Sequence, residues 1–374
     1  MLMKQHNPFV ITGYAGPEYF CDRVRETTDL IEALENDRNV TVMAPRRTGK
    51  TGLIEHAFRQ LREERGYKTV VLDLFPTQNL ADFTKLFASA VFRSLETNWE
   101  KALSAAERFI RSCRPSVTVN PADLSHKFSF DVTPAAAETT LGEIFSYLAS
   151  RKERVVIAFD EFQQIAEYPE KGVEALLRSH IQNVPFVGFV FAGSRQHLMR
   201  EMFTSVKRPF FQSTQKLHLE VIDRKAYYDF ADRHFRSVGR TLPQEVFDCL
   251  YARFDGITWY LQSVMNRLYG RGIESIGQGD VDAVVTSLVA EEAYDYKRWC
   301  ELLPEGSIRL LRAVAEDGVA NDLTSAGFIA RHGLTAPSSV ALALDRLLDK
   351  ELLYKRDDGY VVYDRLFSLW LASV

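Results

Sequence analysis

The residues best suited to chemistry lie between Ala44 and Thr51, in the sequence APRRTGKT. Gly49 has no Cβ and lets the backbone approach an anion closely, Lys50 supplies a positive charge, and the Thr51 hydroxyl can ligate Mg²⁺. Backbone N–H groups of a loop that opens a helix also point at phosphate. The segment follows an apolar run and precedes an amphipathic one, the context that a phosphate-binding loop requires. It therefore predicts a site for the phosphates of a nucleotide.

One position departs from the pattern of such a loop, G-x-x-x-x-G-K-[ST], because Ala44 stands where the first glycine is expected. The alternative is a chance GKT on an unrelated turn, which the neighbouring strand and helix disfavour. Arg46 and Arg47 leave two roles open, contact with phosphate or a position on the exterior of the loop. The loop residues expected to bind nucleotide are Pro45, Arg46, Arg47, Thr48, Gly49, Lys50, Thr51 and Gly52.

Two adjacent carboxylates, Asp160 and Glu161, follow the apolar run at residues 155–159. Open parallel sheets bind ligands at the carboxyl ends of their strands. We expect Asp160 to hold Mg²⁺, directly or through water, and Glu161 to act as general base toward an attacking water. The alternative, a strand that ends in a solvated acidic turn, is common for one carboxylate. An adjacent pair downstream of a phosphate-binding loop favours the catalytic interpretation.

The next apolar run, at residues 187–192, ends in Gly193, Ser194 and Arg195. A polar side chain at this place would lie between the two motifs and orient the water near the γ-phosphate. Ser194 or Arg195 is the candidate for that role. The alternative for Ser194 is to cap the N-terminus of the following helix.

The elements that must position these residues alternate between strands and helices. Apolar runs without alternation indicate strands buried on both faces, separated by helices, as in a parallel sheet covered on both sides. The fold class predicted is α/β, a three-layer P-loop NTPase. The expected strands are Val40–Met43, Lys68–Leu74, Arg154–Phe159 and Val187–Ala192, and the expected helices are Thr51–Glu64 and Leu80–Leu95 with a continuation toward Ile110.

One segment of the first half departs from this rhythm. Residues 115–132 hold two short alternating runs around Asn120 and Pro121, which predicts a β-hairpin insertion.

The second half of the chain is mostly helical. Three helical stretches, Ser307–Glu316, Ser325–His332 and Ser338–Lys350, precede two short β-like runs joined through Asp358 and Gly359. An Asp-Gly pair between such runs is typical of a hairpin. Three helices followed by a hairpin predict a winged helix-turn-helix. The expected domains are therefore an α/β core at 1–216, a helix-rich segment at 217–280 with a glycine-rich loop at 270–279, and a winged-helix domain at 281–374.

Composition excludes several classes of protein. The 374 residues carry 46 Lys and Arg against 50 Asp and Glu, a net charge of −4, and 46% are hydrophobic. This balance excludes a mainly disordered chain and a uniformly basic nucleic-acid coat. The four cysteines form no CxxC pair, which disfavours a metal or redox knuckle. Neither a secretory signal nor an apolar run of membrane-spanning length is present, so we expect a cytoplasmic protein without membrane contact.

Taken together, these segments resemble the P-loop ATPases of the AAA+/STAND superclass, and in particular its archaeal-type ATPase group. Four places carry the resemblance: the APRRTGKT loop, FDEFQ at residues 159–163, YFCDR at residues 19–23, and YDRLFSLW at residues 363–370. The resemblance implies that residues 1–216 are an ATPase core, that residues 217–280 are a helical lid and that residues 281–374 are a winged helix, and that the arrangement of these parts switches with the nucleotide state. It also implies ATP and Mg²⁺ as cofactors.

Further residue roles follow from the resemblance alone. The box that contains Phe20 and Arg23 packs near adenine in relatives, and the preference for adenine rests on this likeness. Arg208 is either an arginine that reaches the γ-phosphate in a neighbouring subunit, which would require self-association, or a surface arginine in a basic turn. Relatives in the wider superclass carry a lid arginine that senses the γ-phosphate, whereas residues 254–260 offer none. Trp259 and Tyr260 either line the nucleotide or pack the lid, and packing is favoured.

A winged helix often reads DNA with its second helix in the major groove. The candidate recognition helix has Arg346 and Lys350 as its only basic residues, offset by Asp345 and Asp349. Phosphate-driven affinity needs several basic residues on one face, so contact with a protein partner or autoinhibition is favoured over DNA.

Three hypotheses follow for the function. The first is a STAND-type regulatory switch that binds ATP or ADP and slowly hydrolyses ATP with Mg²⁺, acting on a protein partner. The alternative is an ATP-gated DNA-binding protein that acts through the winged helix. A third is a nucleotide-binding scaffold with negligible hydrolysis.

Overall fold

The computed structural model describes residues 7–119 and 126–373. The chain divides into two compact units. The first comprises residues 1–231 and 255–263, and the second comprises residues 232–254 and 264–374. The segment predicted as the lid, residues 217–280, thus contributes to both units.

A parallel sheet forms the centre of the first unit. Its order in the described part of the chain is β2-β5-β6-β1-β7, with all neighbouring strands parallel. This confirms the predicted α/β P-loop NTPase fold. The strands of this unit are β1 (Val40–Met43), β2 (Lys68–Asp73), β3 (Arg114–Val119), β4 (His126–Asp131), β5 (Val155–Asp160), β6 (Val187–Gly193) and β7 (Gln215–His218).

Helices cover both faces of the sheet. Val156 and Ala158 of β5 pack on one side with Leu53 and Phe58, whereas the other side buries an aromatic cluster around Phe159. This alternation along one strand produces three layers, because successive side chains point to opposite faces. The helices as far as residue 236 are α1 (Val24–Glu35), α2 (Lys50–Arg65), α3 (Leu80–Leu95), α4 (Trp99–Phe109), α5 (Ala137–Ala149), α6 (Val173–Gln182), α7 (Gln196–Thr204) and α8 (Arg224–Arg236).

The strand order brings the predicted motifs together. β6 lies between β5 and β1 and pairs with both. At its carboxyl end, β5 leads into Glu161, β6 leads into Ser194 and β1 leads into Ala44. Residues far apart in sequence therefore share one edge of the sheet, where open α/β folds bind ligands.

The predicted helix from Leu80 toward Ile110 is wrong in one respect, since it breaks into α3 and α4. Asn98 ends the break by accepting a hydrogen bond from the backbone N–H of Lys101 at 2.9 Å. An N-cap of this kind satisfies a helix-terminal donor, and it competes with continuation of the preceding helix.

The segment predicted as a hairpin insertion contains the antiparallel pair β3 and β4, in which Arg114 lies opposite Asp131. Residues 120–125, which would form its turn, lie outside the described residues.

The second unit contains the expected order of three helices and a hairpin, and one further helix follows the hairpin. The strands β8 (Leu353–Arg356) and β9 (Gly359–Val362) are antiparallel, and Ala320 forms an isolated bridge with Tyr360 of β9. The predicted glycine-rich loop is shorter than expected, since α10 continues through Gly270 and α11 already begins before Gly279. The remaining helices are α9 (Gln244–Arg253), α10 (Thr258–Arg271), α11 (Gln278–Glu301), α12 (Glu305–Asp317), α13 (Ala326–Arg331), α14 (Pro337–Asp349) and α15 (Arg365–Ser373). In the described part of the chain, no helix has the length and apolar character needed to cross a membrane.

Gly193, at the end of β6, lies in a tightly packed part of the structure. A Cβ on Gly193 would lie 2.6 Å from Met199 Sδ and would also collide with Gln163 Oε1. We expect Gly193→Ala to lower the free energy of unfolding by about 1–3 kcal/mol, because overpacking forces neighbours to move. The measurement is chemical denaturation of the purified chain.

Gly142→Ala is the matched control for this prediction. A Cβ at this position in α5 would lie 3.6 Å from His180 Cε1, an ordinary contact. Because alanine is roughly 0.5–1 kcal/mol better than glycine inside a helix, this variant should be as stable as wild type or more so. Equal effects of the two substitutions would contradict the packing argument.

Candidate functional site

The APRRTGKT segment forms the turn between β1 and α2. Gly49 has a φ of 93°, in the left-handed region that glycine adopts without strain. Ala44 has no positive φ and is fully buried in the core, which explains why alanine serves where the pattern has glycine. The loop is held internally, since Thr48 Oγ1 donates to the carbonyl of Pro45 at 2.8 Å.

Lys50 is buried at the mouth of this loop. Its Nζ donates to the carbonyl oxygens of Ala44 at 3.3 Å and Pro45 at 3.2 Å. Burial lowers the pKa of Lys50, while the carboxylates of Glu161 and Asp160 act in the opposite direction. An ammonium held by two carbonyls beside the helix N-terminus is suited to pairing with a phosphate.

Asp160 is in direct contact with the phosphate-binding loop. Its Oδ2 accepts a hydrogen bond from Thr51 Oγ1 at 2.5 Å, and its Oδ1 accepts from the backbone N–H of Glu161 at 3.0 Å. Burial raises the pKa of Asp160, against the effects of the Thr51 hydrogen bond and the Lys50 charge. The structure thus brings together the two residues predicted to hold Mg²⁺.

The pair Thr51 and Asp160 fits a magnesium ion that also uses phosphate oxygens. The described residues contain no group of three or more His, Cys, Asp or Glu side chains able to hold a metal. Mg²⁺ is commonly held by one or two carboxylates together with water and substrate phosphates. The donor set therefore suits a metal that arrives with a nucleotide.

Glu161 is held toward β6. Its backbone has a φ of 53°, and its Oε2 accepts from Ser194 Oγ at 2.7 Å, from Ser194 N at 3.3 Å and from Gln163 Nε2 at 2.5 Å. Burial alone would raise the pKa of Glu161, but these hydrogen bonds and the charge of Lys50 outweigh it and lower that pKa. Glu161 is therefore a carboxylate at neutral pH, as a general base must be.

Ser194 faces the acidic motif instead of capping α7. Arg195 occupies the N-cap position of that helix, and Ser194 Oγ also accepts from Arg46 Nε at 3.3 Å. Gln163 is a site residue for which the sequence analysis proposed no role. The sequence signal that could have identified Gln163 as a site residue is its position in FDEFQ, two residues after Glu161.

The two other arginines proposed for catalysis make contacts away from the loop. Arg195 pairs with Glu167. Arg208 donates to Glu174 at 2.8 Å and to Glu201 at 2.6 Å. These contacts support the structural alternative for Arg208.

A pocket of about 280 Å³ opens beside the loop. Phe20 lines it and stacks on the His56 ring with centroids 4.3 Å apart. Tyr14 also lines it, and its hydroxyl is hydrogen-bonded to His56 Nδ1 at 2.7 Å. Burial lowers the pKa of His56, with a smaller effect from Arg59 in the same direction. An aromatic wall of this kind suits a planar heterocyclic base.

Arg23 contacts the backbone of the phosphate-binding loop. It is 4% exposed, pairs with Glu26 at 2.8 Å, and donates to the carbonyls of Thr48 at 3.4 Å and Glu220 at 2.5 Å. These contacts hold Arg23 against the phosphate-binding loop, and Arg23 also lines the pocket beside it.

The start of α10 also meets the loop. Trp259 N donates to the Arg47 carbonyl at 3.0 Å, and the Arg47 guanidinium donates to the Tyr260 hydroxyl at 2.7 Å. The interpretation of these aromatics as lid packing alone is therefore incomplete. Contacts of this kind depend on the backbone path of the loop, which sequence spacing does not reveal.

Comparison with known proteins identifies the family. The family model described as "ATPase domain predominantly from Archaea" matches residues 20–264. The chain belongs to this ATPase family. The model described as "Probable winged helix domain" matches residues 294–373. No curated protein is similar enough in sequence to count as a match.

Solved structures share the fold of this archaeal-type ATPase. A Walker-type ATPase of Pyrococcus abyssi superimposes with a TM-score of 0.66 at 17% identity, over 97% of this chain and 99% of the other. The ORC2 protein of Aeropyrum pernix, in its ADPNP-ADP complexes, gives a TM-score of 0.62 at 17% identity, over 99% of this chain and 96% of the other. Both likenesses concern the fold.

The buried carboxyl of Asp160 predicts a gain in stability from its removal. Because burial raises its pKa, the folded state holds more protons than the unfolded state between the unfolded and the folded pKa. The free energy of unfolding therefore falls as pH rises through that window. We expect Asp160→Asn to melt higher than wild type at pH 8 without nucleotide, by about 2–4 °C for each kcal/mol of added stability.

Thermal unfolding across pH checks this expectation. The difference between Asp160→Asn and wild type should shrink as the pH is lowered, because the wild-type carboxyl then takes up its proton. A variant that melts at or below the wild-type temperature at pH 8 would show that Asp160 is not destabilised by its burial.

Proposed function

We propose that this archaeal-type ATPase binds ATP with Mg²⁺ and hydrolyses it slowly, as a regulatory switch of the STAND type. The observation that carries the proposal is the contact between Thr51 Oγ1 and Asp160 Oδ2 at 2.5 Å, with Glu161 held beside it. That contact joins the phosphate-binding loop to the acidic strand end. A hydroxyl and a carboxylate so placed can share one Mg²⁺ with phosphate oxygens.

Each residue of the site has its own role in the proposed binding and hydrolysis of ATP. The N–H groups of the loop and the start of α2 bind the phosphates, and Lys50 pairs with their charge. Thr51 and Asp160 hold the metal, which neutralises charge on the phosphates when bound. Glu161 accepts the proton of the attacking water. The pocket wall of Phe20 and Tyr14 receives the base, which supports ATP as the nucleotide.

Slow turnover follows from how Glu161 is held. Its Oε2 already accepts hydrogen bonds from Gln163 and Ser194, and the lowered pKa makes the carboxylate a weaker base. Residues 254–260 also contain no arginine to sense a γ-phosphate. A site built this way suits a nucleotide-dependent switch more than a fast motor.

The catalytic assignment predicts different defects for two substitutions. Glu161→Gln keeps the shape of the side chain but cannot take a proton, so we expect phosphate release to fall about 10²–10⁴-fold with nucleotide binding retained. Lys50→Ala removes the phosphate partner, so we expect both binding and turnover to be lost. Phosphate release from MgATP and calorimetric titration with MgADP measure the two properties.

The matched control is Glu63→Gln, an exposed glutamate on α2 that pairs with Arg59. It should bind and hydrolyse like wild type. If wild type and Glu161→Gln release phosphate equally slowly while both bind MgADP, the scaffold hypothesis replaces hydrolysis. If Lys50→Ala binds as well as wild type, the nucleotide site lies elsewhere.

The winged-helix unit favours a protein partner over DNA. In the described residues of this unit, several basic side chains near the candidate DNA-facing elements meet neighbouring polar or acidic groups. Arg331 pairs with Asp317, and Arg356 pairs with Asp358. On α14 itself, Leu342 is 61% exposed. An apolar side chain at that place suits contact with protein more than contact with phosphate.

DNA binding is therefore expected to be weak and weakly salt-dependent. We expect duplex DNA of mixed sequence to bind no more tightly than the nonspecific range of roughly 10⁻⁴–10⁻⁶ M at physiological salt. Fluorescence anisotropy at several salt concentrations, with MgATP or MgADP present, measures this. A tight complex with a steep salt slope that flattens in Lys355→Ala would instead establish the DNA-binding alternative.

A further inference from the structure

Arg47 has a backbone conformation that its residue type disfavours. Its φ is 68°, in the left-handed region. Glycine adopts this conformation without strain, whereas a residue with a Cβ does so at a cost in free energy. Such strain persists only where the surrounding structure enforces it, and it tends to occur at functional sites. The side chain of Arg47 should therefore do something that glycine could not.

The side chain is held by two aromatic residues at the start of α10. The guanidinium carbon lies 4.3 Å from the centre of the Trp259 ring and 5.1 Å from that of Tyr260. Its Nη1 donates to the Tyr260 hydroxyl at 2.7 Å. Tyr260 is 2% exposed, so one end of this contact is fixed in the core.

The backbone of the loop meets the same turn of helix. Trp259 N donates to the carbonyl of Arg47 at 3.0 Å, and Thr258 Oγ1 donates to the carbonyl of Thr48 at 3.3 Å. The first N–H groups of a helix have no partner within the helix. Here the carbonyl of Arg47 in the loop is the hydrogen-bond acceptor for one of these N–H groups. The start of α10 and the phosphate-binding loop therefore constrain each other. All of these residues belong to the first unit.

We propose that Arg47 is a positioning residue that couples the phosphates of a bound nucleotide to the first turn of α10, through Trp259 and Tyr260. The inference rests on the proposed function, because it requires nucleotide at the loop. Phosphate binding fixes the backbone N–H groups of the loop, and this backbone carries Arg47. Coupling between two sites is reciprocal. Changes at Trp259 therefore alter nucleotide affinity, and nucleotide alters the surroundings of Trp259.

Trp259 is itself the reporter for the test. Tryptophan emission of the full chain is recorded with increasing MgADP, and the Trp259→Phe variant identifies the part of the response that comes from this residue. MgADP affinity is measured separately by calorimetry. We expect wild type to show a nucleotide-dependent change in emission that Trp259→Phe lacks, although this variant still binds MgADP.

Arg47→Gly tests the side chain without disturbing the backbone, because glycine accepts the left-handed conformation. We expect this variant to melt no lower than wild type, to bind MgADP about threefold to tenfold more weakly, and to lose the emission change at saturating MgADP. The loss of a part-buried cation–aromatic contact with one hydrogen bond accounts for a weakening of this size. The MgADP affinity of Arg47→Lys should lie between those of wild type and Arg47→Gly, since lysine keeps the charge but not the planar guanidinium.

Arg46→Ala is the comparison variant, because it removes the same charge from the same loop at a residue whose Nε donates to Ser194 Oγ at 3.3 Å. It should retain the emission change. If Arg47→Gly also retains that change at saturating MgADP, the coupling is refuted, and an affinity loss equal to that of Arg46→Ala would make Arg47 a phosphate ligand instead. If wild type binds no MgADP, the proposed function fails and the coupling fails with it. Binding with normal affinity but without an emission change refutes the coupling alone.

Discussion

Lys50 and Asp160 are buried and Glu161 is half-buried at one edge of the central sheet, and the site depends on giving each of these ionisable side chains a polar partner. An unpaired charge in such a place is strongly unfavourable. Carbonyls of the loop receive Lys50, Thr51 donates to Asp160, and Ser194 and Gln163 donate to Glu161. The same partners that make this burial tolerable also fix the groups that phosphate and metal chemistry needs.

The need to give these side chains polar partners also constrains how the strands pack. β6 must lie between β1 and β5 for Ser194 to meet Glu161, and Gly193 must lack a side chain because Gln163 and Met199 occupy the space beside it. Aromatic packing on one face of the sheet holds the strands in this order, through contacts such as that between Phe159 and Phe191. The apolar core thus sets the geometry on which the polar site depends.

The loop has a second set of partners at the start of α10. Arg23 braces its backbone from one side, while Thr258 and Trp259 contact it from another. A loop held in this way offers its N–H groups in a fixed arrangement, which favours binding of phosphate. Under the proposed coupling, the position of the first turn of α10 and the binding of nucleotide are energetically linked.

The sequence by itself determined the alternation of strands and helices, the phosphate-binding loop, the acidic pair and the winged helix, because each is encoded by local spacing and hydrophobic pattern. It did not reveal the break at Asn98, where a capping hydrogen bond competes with helix propensity. Only the tertiary structure decided that Ser194 faces Glu161, that Gln163 belongs to the site, and that Arg47 rests on Trp259 and Tyr260. It also decided that Arg195 pairs with Glu167 and that Arg208 pairs with Glu174 and Glu201. Such contacts join residues distant in sequence, and they depend on strand order and backbone conformation, which local patterns do not encode.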